Sequence, residues 1–258
     1  MTALTVDHAG ALNTVALDLP DVFDPLLRPD RRAARRHDPL VVTFKGVQSA
    51  KHLIESMGIP HTEIAGLQVN GTWQSLDYHP QDGERLYVVP VGGGSQGAAP
   101  YPGDSPRFVL DNHLGKLATY LRLLGFDCFY DQQLEDEALA RLSAEQTRVL
   151  LSRDRGLLMR RQVTYGCWVA SKTPLDQVRL VLARYRLYDQ VNPFSRCLRC
   201  NHPLEPVSKA EIQHRLLPLT KKYYEEFYLC RGCGQIYWPG SHYQHLEQVI
   251  AELLERRQ

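Results

Sequence analysis

The stretch FVLDNHLGKLATYLRLLG, residues 108–125, joins a short apolar run, Phe108 to Leu110, to a carboxylate, Asp111, and then to an amphipathic segment with Leu114, Leu117, Leu121 and Leu124 on one face. The hydrophobic rhythm changes within a few residues, so the stretch reads as strand, junction and helix, with Gly125 closing the helix. The rhythm then repeats. FDCFY, RVLLS and CWVAS read as strands, and LEDEALARLSAEQ, RDRGLLMRRQ and TPLDQVRLVLARYRLY read as helices. The last has Thr173 as N-cap, Pro174 at the first helical position and Asp176 three residues after the cap. Such alternation predicts an α/β unit, with parallel strands joined by right-handed crossovers and helices on the faces. Ligands of these sheets gather at the carboxyl ends of the strands.

Several acidic residues fall at that edge. Asp111 follows the first strand and Asp154 the third, while Asp136 and Glu137 start the helix after the second, with Asp131 in the turn before it. Carboxylates brought together raise each other's pKa unless a cation compensates them. Mg²⁺ or Mn²⁺, which prefer hard oxygen ligands, suit such a cluster, and an ion of this kind can activate water and neutralise charge on a phosphodiester. A plainer reading stands beside it: Asp111 and Asp154 as helix caps, and Asp136 and Glu137 as partners of a helix dipole. Basic residues flank the same positions. Lys116, Arg153 and Arg155 are candidate phosphate contacts. Arg122 lies on the helix after Asp111, and Arg160 and Arg161 read as a solvated helix face.

Four of the six cysteines form two pairs, CLRC (Cys197, Cys200) and CRGC (Cys230, Cys233), separated by 29 residues. Two such pairs predict a tetrahedral Zn²⁺ site with no open position, hence a structural one. Cys128 and Cys167, isolated in apolar segments, read as core residues. Between the pairs, Lys209, Arg215, Lys221 and Lys222 interleave with Tyr223, Tyr224, Phe227 and Tyr228. That mixture fits RNA, by backbone attraction and base stacking, and equally fits a small core with solvated charges offset by Glu225 and Glu226. Trp238 and His242 share this ambiguity.

Residues 91–106, VGGGSQGAAPYPGDSP, read as a linker. Ahead of it PLVVTFKG and RLYVVPV read as strands, SAKHLIESMGI as a helix, and LQVNGTW as a hairpin turning at Asn70-Gly71. Residues 20–39, rich in proline and arginine, read as a solvated loop. The domain plan is therefore a small α+β roll over 1–90, a linker over 91–106, the α/β unit over 107–192, and a zinc ribbon with a C-terminal helix over 193–258. The first domain resembles the ubiquitin-like sulfur-carrier fold. Those carriers act through a free Gly-Gly terminus, whereas Gly92, Gly93 and Gly94 are followed by more chain, so they read as linker and the domain as a protein-partner or positioning module.

DNHLGKLATYLRLLGFD, DEALARL and RVLLSRDRGLL, followed by FSRCLRCNHPLEP and CRGCGQIYWPGSHY, together resemble the Mut7-C ribonuclease family, a PIN-like nuclease domain with an appended zinc ribbon. His113 departs from the expected pattern, standing where an apolar residue belongs. The resemblance implies metal-dependent RNA cleavage with Asp111, Asp136 and Asp154 at the acidic positions, Glu137 as a helper, and Mg or Mn as catalytic ion beside structural Zn. The competing function is a non-catalytic RNA-binding or scaffold protein.

Composition agrees with a globular chain: 43% hydrophobic and 23% charged residues. No apolar run approaches the roughly 20 residues of a membrane span, and the N-terminus lacks a signal core, so cytoplasmic residence and no membrane contact are expected. The net charge of +1 hides an asymmetry: 8 Lys and Arg against 12 Asp and Glu before Pro106, but 22 against 17 from there on. A basic second part is compatible with RNA as partner.

Overall fold

The computed structural model describes residues 12–35, 39–92 and 101–255. The chain divides into two compact units, one comprising Met1–Pro100 and Asp154–Trp168, the other Tyr101–Arg153 and Val169–Gln258.

The first unit is a five-stranded sheet in the order β2-β1-β5-β3-β4, from β1 (Leu12–Asp18), β2 (Leu40–Lys45), β3 (Ile64–Val69), β4 (Thr72–Gln74) and β5 (Arg85–Pro90). β1 runs parallel to β5 and antiparallel to β2, and β3 is antiparallel to both of its neighbours. This is the ubiquitin-like roll. In β2 every second side chain, Leu40, Val42 and Phe44, is buried, the period-two pattern of a sheet with one wet face. They meet Leu53 and Ile54 of α2 (Ala50–Ser56), a helix capped by the Ser49 hydroxyl, which accepts from the His52 amide at 3.2 Å. The β3–β4 hairpin turns at Asn70 and Gly71, both with positive φ (49° and 82°), as an Asn-Gly turn requires.

Two features of this unit depart from the sequence reading. β1 was not anticipated, although LNTVALD alternates. Residues 20–39 are not simply a solvated loop: a 3₁₀ turn (Asp21–Leu26) and α1 (Pro29–Ala34) put Phe23, Leu26 and Leu27 into the core at 1–3% exposure. The spacing of those three apolar residues marks one helical face, which the surrounding prolines and arginines obscure. Residues 36–38 of that stretch, and Gly93 and Gly94 of the linker, lie outside the described residues.

The second unit begins with β6 (Phe108–Leu110), α3 (Gly115–Leu123), β7 (Cys128–Tyr130), α4 (Asp136–Glu145) and β8 (Val149–Ser152). β6 pairs in parallel with β7 on one side and β8 on the other, aligning Phe108 with both Cys128 and Val149. Leu114, Leu117, Leu121 and Leu124 are buried as their spacing predicts. α3 stops before Gly125, whose φ of +95° excludes most residues and whose Cβ would lie 2.3 Å from the Asn192 carbonyl oxygen. After β8, α5 (Arg155–Leu158) and β9 (Gly166–Trp168) fall in the segment grouped with the first unit.

The chain returns as α6 (Pro174–Tyr185), whose Tyr185 ring lies 5.9 Å from that of Phe108. Thr173 occupies the N-cap position, but its hydroxyl caps nothing, while its amide donates to Ser171 Oγ at 3.1 Å. A short apolar core of Val207, Ile212, Phe227, Leu229 and Ile236 then supports the antiparallel sheet of β10 (Leu204–Val207), β11 (Phe227–Cys230) and β12 (Ile236–Tyr237). α7 (Lys209–Ile212) and α8 (Pro218–Tyr223) lie between β10 and β11, and α9 (Ser241–Glu255) ends the described chain.

Candidate metal centre and nuclease site

The four paired cysteines converge. Their sulfurs all lie within 4.8 Å of one another, with Cys197 to Cys233 at 3.6 Å and Cys200 to Cys230 at 3.2 Å. Zn–S bonds of ~2.3 Å in a tetrahedron place sulfurs about 3.8 Å apart, so the donor set fits zinc. Each knuckle is closed by its own backbone: the Asn201 amide donates to Cys197 O (2.9 Å) and the Gly234 amide to Cys230 O (2.8 Å). Gly234 takes φ +74°, and a Cβ on Gly232 would sit 2.5 Å from the His202 ring. Burial pushes the Cys197 thiol up, but the Tyr237 hydroxyl 3.2 Å away and the backbone amides of Cys200 and Arg199 outweigh it and bring it down to about 6. Burial raises Cys200 to about 12. Metal binding must therefore displace protons as it forms.

The ribbon is joined to the nuclease-like sheet through polar contacts. Asn201, in the left-handed region at φ 71°, accepts from the buried Cys128 amide at 2.9 Å and donates to Asp127 Oδ1 at 2.9 Å. Arg122 is buried and donates to the carbonyls of Cys128 (3.0 Å), Leu198 (3.1 Å) and Arg199 (3.1 Å). It is therefore a link between α3, β7 and the first zinc knuckle, not a residue of a basic surface around Asp111. Arg148 completes the network through Asp127 at 2.7 Å. Burial works against the Asp127 carboxylate, yet hydrogen bonds from Arg148 and Asn201 hold it below the ordinary range. Cys128 and Cys167 are fully buried, and burial pushes the Cys128 thiol far up, in keeping with a core role.

The acidic positions have distinct surroundings. Asp111 is 5% exposed. It precedes a 3₁₀ turn (Asn112–Leu114), yet its side chain caps nothing; Ser152 Oγ, at the end of β8, donates to Asp111 Oδ2 at 2.7 Å. Capping thus does not account for a carboxylate here. Beside it the buried Asn112 Oδ1 has no hydrogen-bond partner among the described residues, while the Asn112 carbonyl accepts from Tyr130 Oη at 2.8 Å. A Cβ on Gly115 would lie 2.8 Å from that phenol oxygen, so the glycine of LGKLA makes room for Tyr130.

Asp136 heads α4 and is half-buried, and Glu137 beside it is exposed. Asp154 is exposed, and its Oδ1 accepts from the Gly156 amide at 2.7 Å, so capping does account for that oxygen. Lys116, Arg153 and His113 are exposed. Arg155 is half-buried and donates through Nη1 to the Leu26 carbonyl. Among the described residues, the cysteines are the one group of three or more Cys, His, Asp or Glu whose ligand atoms lie within 4.8 Å of each other. Sequence reasoning passed over Ser152, Asn112, Asn201 and Tyr237. The serine in VLLSRD and the asparagine directly after CLRC were the available signals.

The aromatics of the ribbon divide between the two readings. Phe227 is core, with Tyr224 and Trp238 packed on it, whereas Tyr223 and Tyr228 are 66% and 42% exposed. They line a cleft of about 1040 Å³ together with Phe194, Trp238 and Tyr243. Lys209 pairs with Glu225, and Lys222 sits 5.1 Å from the centre of the Tyr223 ring. No described helix is long and apolar enough to cross a membrane.

The family model described as the Mut7-C RNAse domain matches residues 106–250, and that described as Mut7-C ubiquitin matches residues 25–95. No curated protein and no solved structure matches the chain.

Proposed function

Since the chain belongs to the Mut7-C RNAse family, we propose that it is a divalent-metal-dependent ribonuclease hydrolysing RNA phosphodiester bonds. The observation that carries this reading is the buried Asp111 carboxylate at a strand end, held by one hydroxyl and capping no helix. Burying an anion with so little compensation is costly, and a cation relieves it. Asp111, Asp136 and Asp154 would hold Mg²⁺ or Mn²⁺, with Glu137 as helper. The ion, when bound, supplies Lewis acidity toward a phosphate oxygen. Ser152 orients Asp111, and Lys116 with Arg153 attracts the RNA backbone. Arg155, also read as a phosphate contact, is engaged with Leu26, so its part in binding RNA is the smaller. Zn²⁺ on Cys197, Cys200, Cys230 and Cys233 orders the ribbon, whose exposed Tyr223 and Tyr228 offer ring faces for unpaired bases. Residues 107–192 form the nuclease domain and 193–258 the ribbon and terminal helix. The roll of residues 1–90 serves a protein contact or positioning.

The test is incubation of purified full chain with labelled structured and unstructured RNAs in Mg²⁺, Mn²⁺ or EDTA, beside Asp111→Asn and Asp154→Asn. Divalent-dependent products lost in both variants are expected. Unchanged cleavage in both would refute the reading, and RNA retention without cleavage would favour a binding or scaffold role.

A further inference from the structure

The segment that starts at the third acidic position belongs with the ubiquitin-like roll and is held there at four points. Arg155 Nη1 donates to the Leu26 carbonyl, in a niche floored by Gly58, where a Cβ would lie 2.6 Å from Leu26 O and 3.4 Å from Arg155 Nη1. His61 bridges: Nδ1 meets Glu55 Oε1 at 2.7 Å and Nε2 meets the Val163 carbonyl at 2.7 Å, with the ring 11% exposed. Glu63, 6% exposed, accepts from the Trp168 amide through Oε1 at 2.7 Å. Trp168 itself packs against the apolar core of the roll. Gly166 fits because it has no side chain: its Cβ would lie 3.1 Å from Thr62 Cβ and 2.8 Å from Leu158 Cδ2.

A buried carboxylate receiving a backbone amide and a bridging histidine are costly to bury unless their bonds form, so they specify one arrangement of the segment rather than merely adding stability. The contacts involve Arg155, Val163 and Trp168, which span nearly the whole of Asp154–Trp168. Arg155 is the residue next to Asp154.

We propose that the ubiquitin-like domain is a working part of the nuclease, a clamp in which His61 and Glu63 act as positioning residues that fix the segment opening with Asp154. The turnover half of this inference rests on the ribonuclease reading; the clamp half does not. On the ribonuclease reading, a segment fixed in one arrangement costs less entropy to order around Asp154, so loosening it would lower kcat and leave KM nearly unchanged.

The experiment uses full chain with zinc bound and compares Glu63→Ala, Glu63→Gln and His61→Ala, with Gly166→Ala as a wedge introduced from the segment's side. Amide hydrogen exchange is read over residues 155–168 and, as control, over 108–130, together with kcat and KM on a labelled single-stranded RNA in Mn²⁺. Glu63→Ala, His61→Ala and Gly166→Ala are expected to speed exchange in 155–168 at least tenfold and to lower kcat about tenfold, with KM within twofold and the control peptides unchanged. Glu63→Gln keeps an acceptor oxygen and restores most of both. Unchanged exchange in 155–168 overturns the clamp. Faster exchange with unchanged kcat overturns its role in turnover. Wild-type chain that clears no RNA in any divalent ion refutes the ribonuclease reading and the turnover half with it, and exchange alone then decides the clamp.

Discussion

Replacing Asn201 by alanine should remove one of the two links between ribbon and nuclease sheet, the other being Arg122. Three terms enter. The Cys128 amide, on a residue of 0% exposure, loses its acceptor, at about 1–3 kcal/mol for a buried unsatisfied donor. Asp127 loses one of its donors; water reaches this partly exposed carboxylate, so the loss falls near the lower end of the ~1.5–3 kcal/mol for bonds to charged groups. Alanine at φ 71° adds about 1–2 kcal/mol that asparagine largely avoids. Together these give about 3.5–6.5 kcal/mol. Asn201→Gly loses the same bonds without the backbone strain and should lie about 1 kcal/mol closer to wild type. The assay is urea unfolding of full chain in excess zinc, with hydrogen exchange at Cys128 as the local readout. A loss below about 1 kcal/mol in Asn201→Ala at unchanged slope, or a protected Cys128 amide, would refute the reasoning.

Zinc removal by a strong chelator should release one ion per chain and unfold the ribbon, whose small core cannot replace the ~10–16 kcal/mol such sites contribute; a colorimetric zinc assay beside circular dichroism checks this, and Cys230→Ser should behave the same way. Asp127 sets a pH dependence. Its folded pKa lies below its unfolded one, so its contribution is complete above the unfolded value of about 3.9 and is lost as pH falls through the folded value. Thermal melts between pH 6 and 3 should be flatter at the acid end for Asp127→Asn, which starts less stable. Ser152→Ala removes the bond that orients Asp111; kcat is expected to fall about tenfold, at a stability loss of about 1.5–3 kcal/mol for a bond to a charged acceptor, and Ser152→Thr should recover most of the activity.

The α/β unit was legible because its strands and helices differ in hydrophobic period, and the leucines of residues 114–124 all proved buried. The cysteine cluster was legible because two CxxC pairs have few uses other than holding a metal. β1 was missed because only two of its seven side chains, Val15 and Leu17, are buried, which leaves a weak period-two signal. The segment 20–39 was misread because Phe23, Leu26 and Leu27 are diluted among prolines and charges. Long-range partnerships left no local trace. Arg122 looks like any helix-surface cation until Leu198 and Arg199 approach it, and Glu63 looks like a solvated acid until the Trp168 amide reaches it. In the acidic set, Asp111 and Asp154 are equivalent in sequence and differ in burial and capping, a distinction that needs coordinates.

β7 lies at the margin of its sheet, and both outward backbone groups of Cys128 are occupied, the amide by Asn201 and the carbonyl by Arg122. An open strand margin is a template for foreign strands, and proteins avoid leaving one bare. The ribbon's Asn201 covers one of those two groups and α3's Arg122 the other, so a chain stripped of its zinc is expected to turn cloudy in proportion to its concentration before the sheet itself melts.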